Sequence, residues 1–210
     1  MSKIGLALGG GGSKGAFQAG ALLHMYNLEY MKNINMVAGI SVGSLNATKV
    51  VEEDILGLVD LWKTIENKDI YKNRYSWLLS PLLLFGGSSF KKNDPLRKLI
   101  KKHVDWSRVR NSSKRLLIGA TSLSLGEVQY FSNKIPVTND LLQEALLASS
   151  AIPAAFPPSE IMEQQFVDGG VVNMNPLNVL IKNGCDKINK ATVAEERISA
   201  LWVTTCKTSY

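Results

Sequence analysis

Histidine is scarce in this 210-residue sequence: there are two, His24 and His103, and none after residue 103. A serine nucleophile served by a histidine late in the chain, as in an α/β-hydrolase triad, is therefore excluded. Cysteine is equally sparse. Cys185 and Cys206 have no metal-ligand spacing and form no disulfide framework, so both are read as reduced thiols of a cytosolic-type protein, and no metal site is expected. No stretch approaches the ~20 apolar residues that a membrane span needs. The opening MSKIGLALGGGG has one lysine and a short apolar run that stops at glycines, which reads as a structured turn and not as a signal peptide. Repeats, linkers and low-complexity tracts are also lacking. The expectation is a single α/β domain, cytoplasmic and a candidate for peripheral contact with membranes.

What is present is an ordinary globular composition, 45% hydrophobic and 20% charged, with a net charge of +6. The surplus of positive charge sits in Lys91-Lys92, Arg97-Lys98, Lys101-Lys102-His103 and Arg108 to Arg115. Such a cluster is either a solvated helix face or an attractor for acidic partners, an anionic membrane surface among them. No aromatic residues interleave with it as a nucleic-acid platform would require, so nucleic acid is not an expected partner.

Along the chain, the apolar run 3–8 is stopped by Gly9 to Gly12, and helical spacing follows from Ser13 to about Met31. A second apolar run, 36–40, leads through Ser41 into a helical stretch to about Val51. Strand, turn and helix thus occur twice in fifty residues, the pattern of a parallel sheet covered by helices. An amphipathic helix is expected over 54–67. The dense apolar segment YSWLLSPLLLFGG at 75–87 follows. Asp94-Pro95 then makes a good start for a basic helix, 95–104. Residues 115–121 and 127–132 read as a hairpin, 139–149 as a helix, and SSAIPAAFPP as irregular chain because of its prolines. A last helix is expected from about Pro176 to Lys182.

Gly10-Gly11-Gly12-Ser13-Lys14-Gly15 satisfies G-x-G-x-x-G, yet the second strand ends in Ala38-Gly39-Ile40-Ser41 without the carboxylate a dinucleotide site needs. Nor is it a P-loop, since Gly15 follows Lys14. Bare backbone N–H groups at a helix start still make an anion site, and an oxyanion formed in acyl transfer is such an anion. Gly39-x-Ser41-x-Gly43 has the form of a nucleophile elbow, in which glycines permit a sharp strand-to-helix turn. Its base is harder to place. His24 lies inside the first helix and His103 on the basic helix. The carboxylate of Phe166-Val167-Asp168-Gly169-Gly170 stands at a strand end. Buried beside a serine, with its pKa raised by desolvation, it could serve as a base. On local grounds alone, a turn-forming Asp-Gly is the better reading of Asp168.

Taken together and in order, GLALGGGGSKGAFQAG, VAGISVGSLNA and SSAIPAAFPP…FVDGGVVNMNP resemble the patatin-like phospholipases. The resemblance extends from residue 4 to about 187. It implies a three-layer α/β/α sandwich with a mainly parallel central sheet, Ser41 as nucleophile, Asp168 as base, and Gly10, Gly11 and Gly12 as oxyanion-hole donors. Gly15, Gly39, Gly43, Gly169 and Gly170 support the motifs. It further implies a glycerolipid substrate cleaved at an acyl ester, with no metal and no organic cofactor. Domain limits of 1–187 follow, with 188–210 unplaced, because that segment is polar and then ambiguous between helix and strand. Under this resemblance, residues 75–104 become a candidate for peripheral membrane contact, the apolar part being either a lid or ordinary packing. A thioesterase or general carboxylesterase using the same pair, an idle lipid-binding module and a nucleotide-binding protein are the rival readings.

Overall fold

The computed structural model describes residues 2–70, 95–136, 138–153, 155–193 and 198–205. The apolar segment 75–87, with its lid-or-core alternative, lies outside the described residues. The two five-residue apolar runs form β1 (Ile4–Leu8) and β2 (Met36–Ile40), buried over almost their whole length. The hairpin forms as expected from β3 (Arg115–Ser122) and β4 (Val128–Ser132). A short β5 (Ser159–Ile161) and β6 (Gln164–Asp168) follow, then β7 (Lys187–Val193) and β8 (Ile198–Thr205).

The strands make one sheet in the order β5-β6-β3-β2-β1-β7-β8, with β4 added to β3. Its centre, β3-β2-β1-β7, is parallel, while β4 and β6 pair antiparallel with β3, and β8 with β7. One detail of register places the site. Gly119 of β3 pairs with Ile40 of β2 on one side and with Tyr130 of β4 on the other. The next residue, Ala120, pairs with Asp168 of β6 and with Gln129 of β4. β2 and β6 therefore occupy the same edge of β3. They run in opposite directions, so their carboxyl ends meet head to head there.

Side-chain alternation divides the core between the two faces of the sheet. Leu6, Leu8, Val37, Leu116 and Ile118 point into a large cluster with the helices α1 (Gly15–Asn27), α2 (Val42–Glu52), α3 (Ile55–Thr64) and, after the short α4 (Asn67–Ile70), α5 (Pro95–His103), α6 (Trp106–Asn111) and α7 (Asn139–Ser149). Ala7, Met36, Ala38, Leu117 and Ile188 face the other way and pack on Leu180 of α8 (Leu177–Lys182). These are the three layers, one thick and one thin.

Several boundaries differ from the sequence reading. α1 ends at Asn27 because Glu29 takes a left-handed conformation (φ 58°) and a 3₁₀ turn over Tyr30–Asn33 follows. α6 falls between the expected helix 95–104 and the hairpin, where the sequence reading assigns no element; the Asp105 carboxylate caps it by accepting from the Ser107 and Arg108 N–H groups. The largest difference is at the end. The sequence leaves 188–210 unplaced, whereas the structure puts β7 beside β1 and β8 on its outer edge.

Candidate active site

Ser41 caps α2 at the end of β2 with φ 55° and ψ −130°, a conformation an L-residue adopts only when its surroundings impose it. The flanking glycines show what imposes it. A Cβ on Gly39 would fall 2.4 Å from the Gly43 carbonyl oxygen, and one on Gly43 would fall 2.2 Å from that of Leu8. Only hydrogen fits at either place, so the elbow is closed by backbone against backbone. Ser41 itself is 6% exposed. Its N–H donates to Ser149 Oγ (3.0 Å), and its carbonyl accepts from the Ser44 N–H (2.9 Å).

Asp168 ends β6, opposite the β3 residue that follows Ile40's partner, and is 4% exposed. Its N–H donates to the Ala151 carbonyl (2.9 Å), and its Oδ1 accepts from the Gly170 N–H (2.7 Å). Oδ2 is buried without a hydrogen-bond partner. Burial pushes the carboxyl above its ordinary pKa; the Ser41 hydroxyl and the Gly170 N–H favour the anion and offset part of that. The Ser41 hydroxyl is thus close enough to influence the carboxyl, while the two stop short of full hydrogen-bond geometry. Gly169, whose carbonyl accepts from the Thr121 hydroxyl (3.4 Å), and Gly170 turn the chain away from the pair.

The glycine run lies against this pair, since a Cβ on Gly10 would lie 3.2 Å from Ser41 Cβ and 3.1 Å from Met174 Sδ. The three expected donors are not equivalent. The Gly10 N–H already donates to the Met174 carbonyl (3.1 Å), so in this conformation it is not open to a ligand. The Gly11 and Gly12 N–H groups take no part in the bonds that anchor the turn, and Gly12 is exposed. Gly15 starts α1, and its carbonyl accepts from Asn46 Nδ2 (3.0 Å).

The two histidines stay apart from this arrangement. His24 is exposed near the far end of α1, about 14 Å along the helix from its start. His103 ends α5, where burial lowers its pKa and its carbonyl accepts from Lys49 Nζ.

Other residues the sequence did not single out hold the site together. Gln18 Nε2 donates to the Gly9 carbonyl (2.8 Å), Asn46 Nδ2 to Gln18 Oε1 (2.9 Å), and Trp62 Nε1 to Asn46 Oδ1 (3.0 Å). Their signal was a polar residue on an otherwise apolar helix face, too common to read alone. Met174 and Ser149 carried none. Ile152, next to Ala151, and Val171, Val172 and Met174, which follow Gly170, are exposed apolar residues, and Met174 lies against Gly10 and Gly170. Among the described residues no group of His, Cys, Asp and Glu could hold a metal ion, and no helix is long and apolar enough to cross a membrane.

The chain is similar to known proteins. An uncharacterized protein of Acanthamoeba polyphaga mimivirus is 29% identical over 238 residues, covering 83% of this chain and 62% of the relative. The structure of VipD from Legionella pneumophila superposes with a TM-score of 0.58 at 17% identity, over 83% of this chain and 46% of VipD. That of ExoU with SpcU, from the type III secretion system of Pseudomonas aeruginosa, gives 0.46 at 12%, over 75% and 38%. The chain thus spans less than two thirds of each of these proteins. The VipD likeness concerns the fold: mixed α/β with helices about a central sheet. A family model described as patatin-like phospholipase matches residues 6–181, a span that takes in the glycine run, Ser41 and Asp168, and the chain belongs to that family.

Proposed function

We propose that the chain is a serine lipid acyl hydrolase that cleaves acyl esters of phospholipids or lysophospholipids. Ser41 Oγ attacks the acyl carbonyl as its proton passes to the Asp168 carboxylate. The Gly11 and Gly12 N–H groups meet the oxyanion, joined by Gly10 if the Met174 contact opens. Collapse of the tetrahedral adduct breaks the ester C–O bond, and Asp168 returns the proton to the leaving alcohol. Water then attacks the acyl-Ser41 ester, losing a proton to Asp168; as the adduct breaks its bond to Oγ, Asp168 gives that proton to Oγ, which regenerates Ser41 and releases the free fatty acid. The observation that carries this reading is the head-to-head meeting of β2 and β6 on one edge of β3. It brings a strained serine and a buried carboxylate with a vacant oxygen to adjacent register positions.

Two further features support a lipid ester as substrate. Exposed apolar residues on the segments next to the pair, Ile152, Val171, Val172 and Met174, suit contact with acyl chains. On α5, Leu96 and Ile100 are buried while Lys98, Lys101 and Lys102 are exposed, a cationic face suited to lipid phosphates. The test is covalent labelling with a fluorophosphonate, together with turnover of phospholipid vesicles and of a short soluble ester. Wild type should label at Ser41 only. Ser41→Ala should fold and hydrolyse neither substrate, and Asp168→Asn should label at least about 100-fold more slowly. Undiminished labelling of Asp168→Asn would remove Asp168 as the base, and turnover of soluble ester alone would replace the lipid substrate with a general ester.

A further inference from the structure

The last residue of α7 and the two that follow it hold both members of the pair by their backbones. At one end of this segment, Ser149 Oγ accepts the Ser41 N–H (3.0 Å); at the other, the Ala151 carbonyl accepts the Asp168 N–H (2.9 Å). Ser149 is fully buried. Its hydroxyl also donates to the Gly119 carbonyl (2.6 Å) and lies 2.7 Å from Ser44 Oγ. A hydroxyl has one proton and two acceptor sites. With the proton committed to Gly119, both remaining bonds are accepted, so Ser44 is the donor in the serine pair. All the hydrogen-bonding capacity of Ser149 is used.

The Gly119 carbonyl is the significant partner. Gly119 pairs with Ile40, the residue before Ser41, and precedes Ala120, which pairs with Asp168. A Cβ on Gly169 would fall 2.6 Å from the same carbonyl oxygen. That oxygen therefore marks the junction where β2 stops and β6 arrives.

We propose that Ser149 is a positioning residue: its hydroxyl ties the nucleophile's backbone to the junction of β2 and β6 and so sets the spacing between Ser41 and Asp168. This inference rests on the reading of Ser41 as the nucleophile. Without the bond, the strained Ser41 turn loses the acceptor for its buried N–H, and Oγ drifts relative to the carboxylate and the glycine N–H groups. A role confined to stability would lower the melting temperature and leave the rate per folded molecule unchanged. Positioning lowers the chemical step itself.

The experiment compares wild type, Ser149→Ala and Thr48→Val. Thr48 is an equally buried hydroxyl of α2 that donates within its own helix to the Ser44 carbonyl, and it controls for the loss of a buried hydroxyl. Melting temperature, kcat and KM on a soluble ester, and the rate of fluorophosphonate labelling are measured on each. In Ser149→Ala, kcat and the labelling rate should both fall about 10- to 100-fold while KM stays within about twofold. Thr48→Val should lose stability and keep its labelling rate. If Ser149→Ala does not fold, Ser149→Cys, close in volume and a weak acceptor, takes its place with the same expected direction. Labelling of the folded Ser149 variant at the wild-type rate overturns the inference, as does an equal loss in Thr48→Val. Failure of wild type to label at Ser41 overturns the nucleophile assignment and this inference with it.

Discussion

Two strand–turn–helix units lie side by side at the same end of the sheet, and they are packed in opposite ways. The turn between β1 and α1 is open: Gly12, Ser13 and Lys14 are exposed, and a Cβ on Gly12 would meet nothing within 4 Å. The turn between β2 and α2 is closed: Gly39 to Ser44 are all buried, and the start of α2 presses on the end of β1. The difference follows from what each turn is proposed to hold. A turn that receives a developing anion must leave N–H groups free and reachable, so it is anchored from behind, by Gln18 on the Gly9 carbonyl. A turn that holds a nucleophile at positive φ must resist relaxation, so its neighbours leave it no room to move.

The largest expected effect comes from breaking the closed turn. In Gly43→Ala the new methyl carbon would stand 2.2 Å from the Leu8 carbonyl oxygen and 2.6 Å from that of Gly9. Both obstacles are backbone, so β1 and α2 must separate. The expected cost is at least about 3 kcal/mol, a large share of a typical domain's total stability. Guanidinium unfolding of the purified protein measures it. A midpoint close to wild type would show that the closed turn is softer than its contacts indicate.

Asp168 sharpens the comparison, since it is the buried partner of the closed turn. Its carboxyl has a folded-state pKa above the unfolded value, so the folded state binds more protons in that window and stability declines as pH rises through it. The cost of the unpaired carboxylate is fully present above the folded pKa and absent below the unfolded one. Asp168→Asn removes this cost and keeps an oxygen for the Gly170 N–H. At neutral pH its melting temperature should rise, by roughly 2–4 °C for each kcal/mol recovered, and the gain should vanish in acid. Activity has the opposite pH preference. Wild-type ester hydrolysis should be lost as pH falls through the raised pKa, with its acid limb above the usual ~4 of a carboxylate. A lower melting temperature for Asp168→Asn at pH 7, or a limb at or below 4, would show that Asp168 is not held as a destabilised anion.

How much of this was legible in the sequence differs between the same two kinds of place. The short apolar runs of β1 and β2, the hairpin and the helix Asn139–Ser149 could be read because local pattern and tertiary role agree there. Ser41 could be named because the elbow is a local shape with fixed residue demands, whereas Asp168, locally a plain Asp-Gly turn, could be named only through the resemblance of its D-G-G motif. Their approach could not be read, because it depends on β3 pairing with β2 and then β6 along one edge, a contact between residues more than a hundred positions apart. Ser149 was silent for the same reason: a serine at a helix end is ordinary until its three partners are in place. β7 failed for a different reason. It lies between β1 and β8 yet carries Lys187, Asn189 and Lys190, so it lacks the continuous apolar run expected of an inner parallel strand. The present engagement of the Gly10 N–H could not be read either, because a glycine run does not tell which N–H groups are already taken, and in this conformation Met174 takes that one.

The smallest expected effect comes from the open turn. Gly12 has φ 55°, in the left-handed region, so Gly12→Ala imposes a conformational cost of about 1 kcal/mol on an L-residue. It imposes no steric cost, because nothing stands within 4 Å of the new carbon. The melting temperature should fall by roughly 2–4 °C. If the Gly12 N–H meets the oxyanion, the methyl group leaves that donor in place, and kcat on a short soluble ester should drop only about threefold or less, against the ~100-fold that loss of a donor costs. The contrast with Gly43→Ala is the measurement that matters. One added carbon should be nearly harmless in the first turn and disruptive in the second, although both are glycines at the start of a helix on neighbouring strands. Equal losses at the two positions would mean that the glycine turn is as tightly packed as the elbow, and that its exposed N–H groups are not held open for an anion.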